Sequence, residues 1–194
     1  MTGDQRSMAD GGFDARAFRN AAGRFASGVT VVTAQTSSGV HGMTANAFTS
    51  VSLNPPLVLV SVGRQARMHA HLEENTRFGV SVLSEDQLAY AWNFAGRPQE
   101  RLQPAFVYRD GVPLVEHALA HFVCALEATY PGGDHTLFLG YVEDLWYRDG
   151  SPLTFYRGRF FGVIPLPAGL WAPGAEITAP LEDTAELSLL DPWW

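Results

Sequence analysis

The sequence predicts a mainly β fold with peripheral helices, in the form of an antiparallel barrel or sandwich. Segments with strand patterning outnumber segments with helical patterning by about two to one. Most neighbouring strands are separated by short turn sequences, which can join antiparallel strands but not parallel ones. A doubly wound parallel sheet is therefore disfavoured.

The first third of the chain predicts a helix, a hairpin and a buried strand. Apolar residues at helical spacing in residues 16–25 predict a short amphipathic helix that ends near Gly28. The β-branched residues 29–33 and the extended segment from Val40 predict a hairpin, because a Ser-Ser-Gly turn separates them. Residues 57–62 predict a buried strand, which two prolines precede.

The rest of the chain predicts two further helices and several strands. Residues 66–74 predict a short helix, and residues 78–83 a strand. Ser84 and Gln87 form a capping box that predicts a helix start, while Gly96 and Pro98 predict its end. Residues 97–115 predict a loop. Residues 118–130, 135–147 and 153–163 predict long strands, the last two joined by a hairpin turn at residues 148–151.

The 194 residues suit a single domain with a terminal segment on either side. Residues 1–15 are predicted to be a flexible N-terminal segment, and residues 16–163 the folded domain. Residues 164–194 are proline-rich and carry acidic residues but no basic ones. They predict an acidic C-terminal extension, whose terminal tryptophans would gain from packing.

Composition excludes several classes of function. The net charge of −7 argues against binding nucleic-acid phosphates, which requires a basic face. All thirteen basic residues are arginine, so chemistry that needs a lysine amine is excluded. The single cysteine, Cys124, lies in an apolar segment and is predicted to be buried and inert. No apolar run is long enough to cross a membrane and no secretory signal is visible, so we expect a cytoplasmic protein.

Motifs for metal binding and for common catalytic sites are missing from the sequence. His117 and His121 fall on a predicted strand, where four residues span about 13 Å, too far for one ion. We therefore predict no metal site from these or from the pair His69 and His71. Neither a GxSxG elbow nor a GxGxxG turn occurs, so any bound dinucleotide must be held without a Rossmann turn.

Two segments are unusual enough to be candidate sites. The segment GMTANAFTSVSLNPP, from Gly42 to Pro56, combines small residues with hydroxyls, as a wall against a flat ligand would. An ordinary half-exposed strand would show the same alternation. The segment GGDHT, residues 132–136, places an acid and an imidazole at a strand entrance. A bent strand entry with a capping aspartate explains it equally well.

Six segments together resemble one family. They are RFASGVTVVTA from Arg24, GMTANAFTSVSLNPPLVLVSV from Gly42, RFGVSVLSEDQ from Arg77, FAG from Phe94, GDHTLFLGYV from Gly133 and PLTFYRGRFFGV from Pro152. They occur in order within residues 18–163. The chain is similar to the short-chain flavin reductases, the flavin reductase-like family of FMN-binding split barrels, which supply reduced flavin to two-component monooxygenases.

The resemblance implies an antiparallel split β-barrel that forms a homodimer and binds FAD or FMN near the dimer interface. It implies that His135 is the catalytic residue on the nicotinamide side, where NADH is expected rather than NADPH. The cofactor-binding residues that it implies are Ser27, Gly28, Thr44, Ala45, Asn46, Ser61, Val62, Arg64, Arg67, Gly133, Asp134 and His135. Ser61, Val62 and Arg67, with Arg64 as a further candidate, would approach the flavin phosphate.

The function that this implies is transfer of a hydride from NADH to FAD or FMN, after which the reduced flavin leaves for a partner monooxygenase. Two alternatives remain open at this stage. One is a flavoprotein that retains FMN tightly and oxidises its own substrate. The other is a flavin carrier without catalytic activity.

Overall fold

The structure is a computed structural model that describes residues 14–98 and 101–164. The C-terminal extension, apart from Ile164, and all but two residues of the N-terminal segment lie outside the described residues, so those two predictions stay predictions. The helices are α1 (Ala15–Ala22), α2 (Arg67–Glu74) and α3 (Leu88–Phe94). None of them is long and apolar enough to span a membrane.

Twelve strands form within the described residues. They are β1 (Ser27–Gly28), β2 (Thr30–Thr36), β3 (Gly39–Ala45), β4 (Phe48–Leu53), β5 (Pro56–Gly63), β6 (Arg77–Val82), β7 (Phe106–Arg109), β8 (Val112–Val115), β9 (Ala120–Gly132), β10 (His135–Tyr147), β11 (Thr154–Tyr156) and β12 (Arg159–Phe161). All paired strands are antiparallel. The predicted mainly β, antiparallel fold is confirmed.

The main sheet has seven strands in the order β3-β2-β6-β9-β10-β5-β4. Its two edge strands, β3 and β4, are joined by only Asn46 and Ala47. Two residues reach less than about 10 Å, so the end of β3 lies close to the start of β4 and the sheet is rolled towards a barrel. The Ser61 amide donates to the Ala47 carbonyl at 3.0 Å and fixes this connection to β5.

The rolled sheet encloses a core built mainly from alternating strand residues. Val58, Val60 and Val62 of β5 are almost fully buried, and Phe138 of β10 contributes a large buried ring. Met68 and Leu72 of α2 belong to the same cluster and are four residues apart, one turn along the helix. The helix therefore covers one end of the barrel with a single apolar face.

The structure confirms most predicted elements near their predicted positions. The first helix is shorter than predicted: Asp14 caps its start and it ends at Ala22, not near Gly28. Gln87 accepts from the Ser84 amide at 3.2 Å, which is one half of the predicted capping box. A 3-10 turn, Glu85–Gln87, then leads into α3.

Three predictions about connections were wrong. Residues 97–115 contain the hairpin β7–β8, not only a loop. Residues 148–151 do not form a hairpin turn, because β10 and β11 belong to different sheets. Residues 153–163 are not one strand: β11 and β12 form a hairpin around Arg157 and Gly158, whose positive φ angles suit a tight turn.

Candidate functional site

A cleft of about 850 Å³ opens beside the barrel. Its walls come from β3, the end of β5, the start of α2, α3, the β9–β10 turn and the β11–β12 hairpin. This size lies within the range of sites for small ligands and cofactors, roughly 300–1,000 Å³. The two segments that the sequence singled out therefore meet at one site: Thr44 and His135 both line the cleft.

The pairing of β5 with β10 explains how residues 70 positions apart in sequence come together. His135 is opposite Gly63 in the ladder, and the Arg64 amide donates to the Asp134 carbonyl at 3.0 Å. A side chain at position 63 would lie 3.6 Å from His135 Nε2. That is an ordinary van der Waals distance, so the imidazole packs directly over position 63 at the mouth of the cleft.

His135 is held in a defined orientation by its neighbour. Its Nδ1 lies 2.7 Å from Asp134 Oδ1, a distance at which the imidazole donates to the carboxylate. This hydrogen bond and the charge of the imidazole lower the pKa of Asp134. With Nδ1 bound to Asp134, Nε2 is left for a ligand, and no group in residues 14–98 or 101–164 bonds to it.

The start of α2 forms a positively charged end of the cleft. Ala66 occupies the cap position and makes no side-chain hydrogen bond, so the amides of Arg67 and Met68 keep open donor positions, whereas the His69 amide donates to the Ala66 carbonyl at 3.0 Å. Arg64 and Arg67 are exposed and line the same end. Open amides at a helix start together with guanidinium groups suit an anionic group such as a phosphate.

Thr44 has a structural role in addition to lining the cleft. Its hydroxyl donates to the Ala91 carbonyl of α3 at 2.7 Å, so its only proton is committed to the protein. The nearby Gly42 allows α3 to approach, since a Cβ there would lie 2.6 Å from the Phe94 ring. The Thr44 hydroxyl can therefore offer a ligand only its oxygen lone pairs, and the backbone of Thr44 remains available.

An aromatic wall of the cleft was not predicted. It consists of Trp92, Phe94, Phe155 and Phe160. Trp92 packs edge to face on Phe160 with ring centroids 4.9 Å apart, and the Arg97 guanidinium lies 5.0 Å from the Trp92 ring centre. Ala91 is in the core, whereas Trp92, the next residue of α3, lines the cleft.

The cleft contains most of the predicted site residues. Those that line it are Thr44, Ala45, Asn46, Ser61, Arg64, Arg67, Asp134 and His135. The Val62 side chain is in the barrel core, so the prediction that it approaches a phosphate can hold only for its backbone. Gly133 forms the β9–β10 turn with a φ of 72° and does not line the cleft.

Ser27 and Gly28 lie at the margin of the cleft rather than within its lining. They form β1, where Ser27 pairs with Phe155, a residue of the aromatic wall. The Ser27 hydroxyl is buried and has no hydrogen-bond partner in the described part of the chain. Whether either residue contacts a ligand stays a prediction.

Three other titratable residues serve the fold. His69 Nε2 lies 2.8 Å from Thr136 Oγ1, and His121 Nε2 lies 2.7 Å from the Val115 carbonyl. Among the described residues, no group of three or more metal-ligating side chains comes together. Cys124 is buried as predicted, and burial, with the nearby Glu143 charge, raises its pKa to about 12.

The rolled antiparallel sheet has a cleft that joins an aromatic wall, a glycine- and hydroxyl-rich strand and an arginine-lined end, which is the chemistry that suits a flat, anionic ligand. Comparison with known proteins gives the particular family. Residues 22–163 match the family described as "Flavin reductase like domain", so the chain belongs to the flavin reductase-like family. The resemblance found in the sequence is confirmed.

Its relatives are named for one activity. A "NADH-dependent flavin reductase" of Rhodococcus sp is 54% identical over 145 residues, covering 73% of this chain and 82% of the relative. "FMN reductase (NADH) SmoA" of Agrobacterium fabrum is 45% identical over 152 residues, covering 77% and 87%.

Solved structures share the fold. The native flavin reductase PheA2 has a TM-score of 0.76 at 43% identity, covering 79% of this chain and all of that chain. The Streptomyces globisporus NADH:FAD oxidoreductase SgcE6, solved with NAD and FAD fragments, has a TM-score of 0.71 at 42% identity, covering 78% and 94%.

Proposed function

We propose that this protein is an NADH-dependent flavin reductase that transfers a hydride from NADH to FAD or FMN and supplies the reduced flavin to a partner monooxygenase. The family and the names of its relatives support this proposal. The structural observation that carries it is the single cleft that holds Arg64 and Arg67 at one end and His135 at the β9–β10 turn.

The residues of the cleft fit a flavin by their chemistry. Ala45, Asn46 and the backbone of Thr44 would contact the ring system and the ribityl chain, with Ser61 nearby as a small polar group. Arg64, Arg67 and the open amides at the start of α2 would hold the phosphate. The aromatic wall would cover the remaining apolar surface and exclude water.

His135 would position the nicotinamide. Bound flavin supplies the redox chemistry by accepting at N5 the hydride that leaves C4 of the nicotinamide. Asp134 holds the imidazole so that Nε2 can donate or accept a hydrogen bond at the edge of the reducing ring. The protein contributes orientation, because holding two rings in contact replaces a slow encounter in solution.

Homodimer formation belongs to this proposal and is supported by exposed apolar residues at one end of the sheet. Tyr141 pairs with Leu57, which in turn pairs with Ser52, so this end spans β10, β5 and β4. Leu53 is 95% exposed and Leu145 is 52% exposed. Large exposed apolar side chains on adjacent strands are typical of a subunit interface. Light scattering that gave twice the mass of the 21.2 kDa chain would agree, and a monomer mass would contradict it.

The test of the main proposal is oxidation of NADH, followed in the presence of FAD or FMN. We expect turnover that requires added flavin, with NADH used better than NADPH. Because NADH is a cytoplasmic reductant, we also propose that the protein acts in the cytoplasm. No flavin-dependent turnover with either flavin would refute the reductase function.

Gel filtration after incubation with flavin separates the alternatives. A protein that elutes colourless but still turns over added flavin supports an exchanging reductase. Stoichiometric colour would favour a flavoprotein that retains FMN. Flavin binding without NADH oxidation would favour a carrier. A mixed assay with a two-component oxygenase of a relative then tests delivery of reduced flavin.

A further inference from the structure

Two histidine rings lie in contact at the arginine-lined end of the cleft. His41 is on β3, lines the cleft and immediately precedes Gly42. Its ring centroid lies 4.7 Å from that of His71 on α2, with the rings tilted by 55°. His71 is four residues after Arg67 and therefore on the same face of the helix. Both histidines are partly buried.

The groups around His41 are mainly cationic. On α2, the charges of Arg67 and His71 act on His41. A carboxylate, that of Glu74, lies 4.0 Å from His71 Nδ1. The packed elements β2 and α3 carry no charged residue in their spans; the one titratable group of α3, Tyr90, accepts from the Ala105 amide. The other charged residues that line the cleft are Arg64, Arg97 and the single carboxylate Asp134, which is bonded to His135.

This arrangement disfavours the protonated imidazole while no anion is present. Burial, followed by the nearby His71 and Arg67, lowers the pKa of His41. An anionic group placed beside Arg67 would oppose these effects, because it attracts a proton to the ring. No other part of the proposed mechanism uses this histidine.

We propose that His41 is a specificity-determining residue that takes up a proton when a phosphorylated flavin binds, so that the cleft prefers FAD over riboflavin increasingly as the pH falls. This inference rests on the proposed function, because it needs the flavin phosphates to occupy the end of the cleft next to Arg67. The proton comes from solvent, and no covalent bond changes.

FAD and riboflavin are the right pair of probes. They share the ring system and the ribityl chain, but only FAD carries phosphates. The FAD pyrophosphate keeps its charge throughout the accessible pH range, whereas a phosphate monoester such as FMN titrates near pH 6 and would obscure the effect. Riboflavin reports titration of groups that act on the ring, and the variant His41→Gln separates His41 from His135, which lies beside Gly63 and Arg64.

The experiment measures dissociation constants by flavin fluorescence between about pH 5.5 and about pH 8. If the pKa of His41 rises by about one unit on binding, FAD should bind about five- to tenfold more tightly at the acidic end. The dissociation constant of riboflavin should change by less than about twofold over the same pH range. Equal pH dependence for the two flavins would overturn the inference.

Variants assign the effect to the residue. His41→Gln should remove most of the pH dependence for FAD while riboflavin still binds. His117→Asn is the control: this side chain is 80% exposed, does not line the cleft and has a positive φ that asparagine tolerates. We expect its FAD titration to match the unmodified protein, and an unchanged slope in His41→Gln would refute the assignment.

A second readout does not depend on affinity. The C2 proton of His41, assigned by comparison with His41→Gln, should titrate at higher pH by NMR when FAD is bound than with riboflavin. Absence of any flavin binding would refute the proposed function itself. Normal FAD binding with no displacement of the His41 titration would refute only this inference.

Discussion

At the residue scale, the site depends on pairs of neighbours that constrain one another. Asp134 is almost fully exposed, yet its carboxylate fixes the Nδ1 side of His135. Thr44 lines the cleft but also ties β3 to α3 through the Ala91 carbonyl. A side chain can therefore belong to the site and still use its donor elsewhere.

Replacing His135 by alanine should impair the use of NADH and leave flavin binding largely intact. A misplaced reducing ring can cost about 100-fold in rate, so we expect a fall of about 10- to 100-fold in kcat/KM for NADH. Steady-state kinetics and flavin fluorescence measure the two effects separately. Wild-type kinetics in His135→Ala would show that this imidazole does not position the nicotinamide.

Arg67→Gln should weaken binding of phosphorylated flavins. A charge-assisted hydrogen bond is worth about 1.5–3 kcal/mol, which corresponds to about 10- to 100-fold in the dissociation constant for FAD. Riboflavin should be affected by less than about threefold, because it lacks the phosphate. Arg16→Gln, on an exposed position of α1, is the matched control. Equal losses for FAD and riboflavin would contradict a phosphate role for Arg67.

The sequence revealed the residues of this site better than their individual contacts. Short motifs located Thr44, Arg67 and His135, and the structure brings all three to one cleft. Sequence could not show that the Thr44 proton is used by Ala91, because that contact crosses 47 positions. Trp92 was missed as a lining residue, since periodicity does not show where a helix face passes from the core to a cleft.

At the scale of elements, long strands were predictable and their partners were not. β10 begins and ends where its alternating pattern predicts. Two Asp-Gly sequences looked alike, but only that at residues 110–111 forms a hairpin turn, whereas that at residues 149–150 connects different sheets. Turn chemistry permits a reversal without specifying that the flanking strands pair. After residues 149–150 the chain enters β11, which pairs with the two-residue strand β1 and not with β10.

Close packing between β6 and β8 makes Gly79 intolerant of a side chain. A Cβ there would lie 2.6 Å from the Pro113 carbonyl oxygen and 2.9 Å from Leu114 Cδ2. Overpacking of this kind costs about 1–3 kcal/mol, so Gly79→Ala should lower the free energy of unfolding by that amount in a urea titration. The comparison is Gly28→Ala, where nothing lies within 4 Å of the added carbon. Similar stability of both variants would contradict the packing described for Gly79.

At the scale of the whole molecule, stability should fall in mild acid. Burial lowers the pKa of His121 from its ordinary value of 6.5, and the Nδ1 of its ring is buried without a partner among the described residues. Below about pH 6.5 the unfolded chain therefore takes up a proton that the folded chain resists, so stability decreases as the pH falls. The lowered pKa of His41 acts in the same direction.

Urea titrations at about pH 7.5 and about pH 5.5 measure this loss. In His121→Gln the amide can keep the bond to the Val115 carbonyl, and the decrease between the two pH values should be smaller. For each protein, the relevant quantity is the difference between the urea midpoints at the two pH values. The midpoint at one pH is not sufficient, because removal of the His121 ring also ends its stacking on Trp146 and lowers stability at both pH values. An unchanged difference would show that His121 is not the titrating group.

Asn46 and Ala47 connect the two edge strands of the main sheet, and both residues also line the cleft. A flavin resting there would contact the end of β3 and the two residues that lead directly into β4. Occupancy should then slow amide hydrogen exchange in β3 and β4 together, although these strands stand at opposite ends of the sheet order.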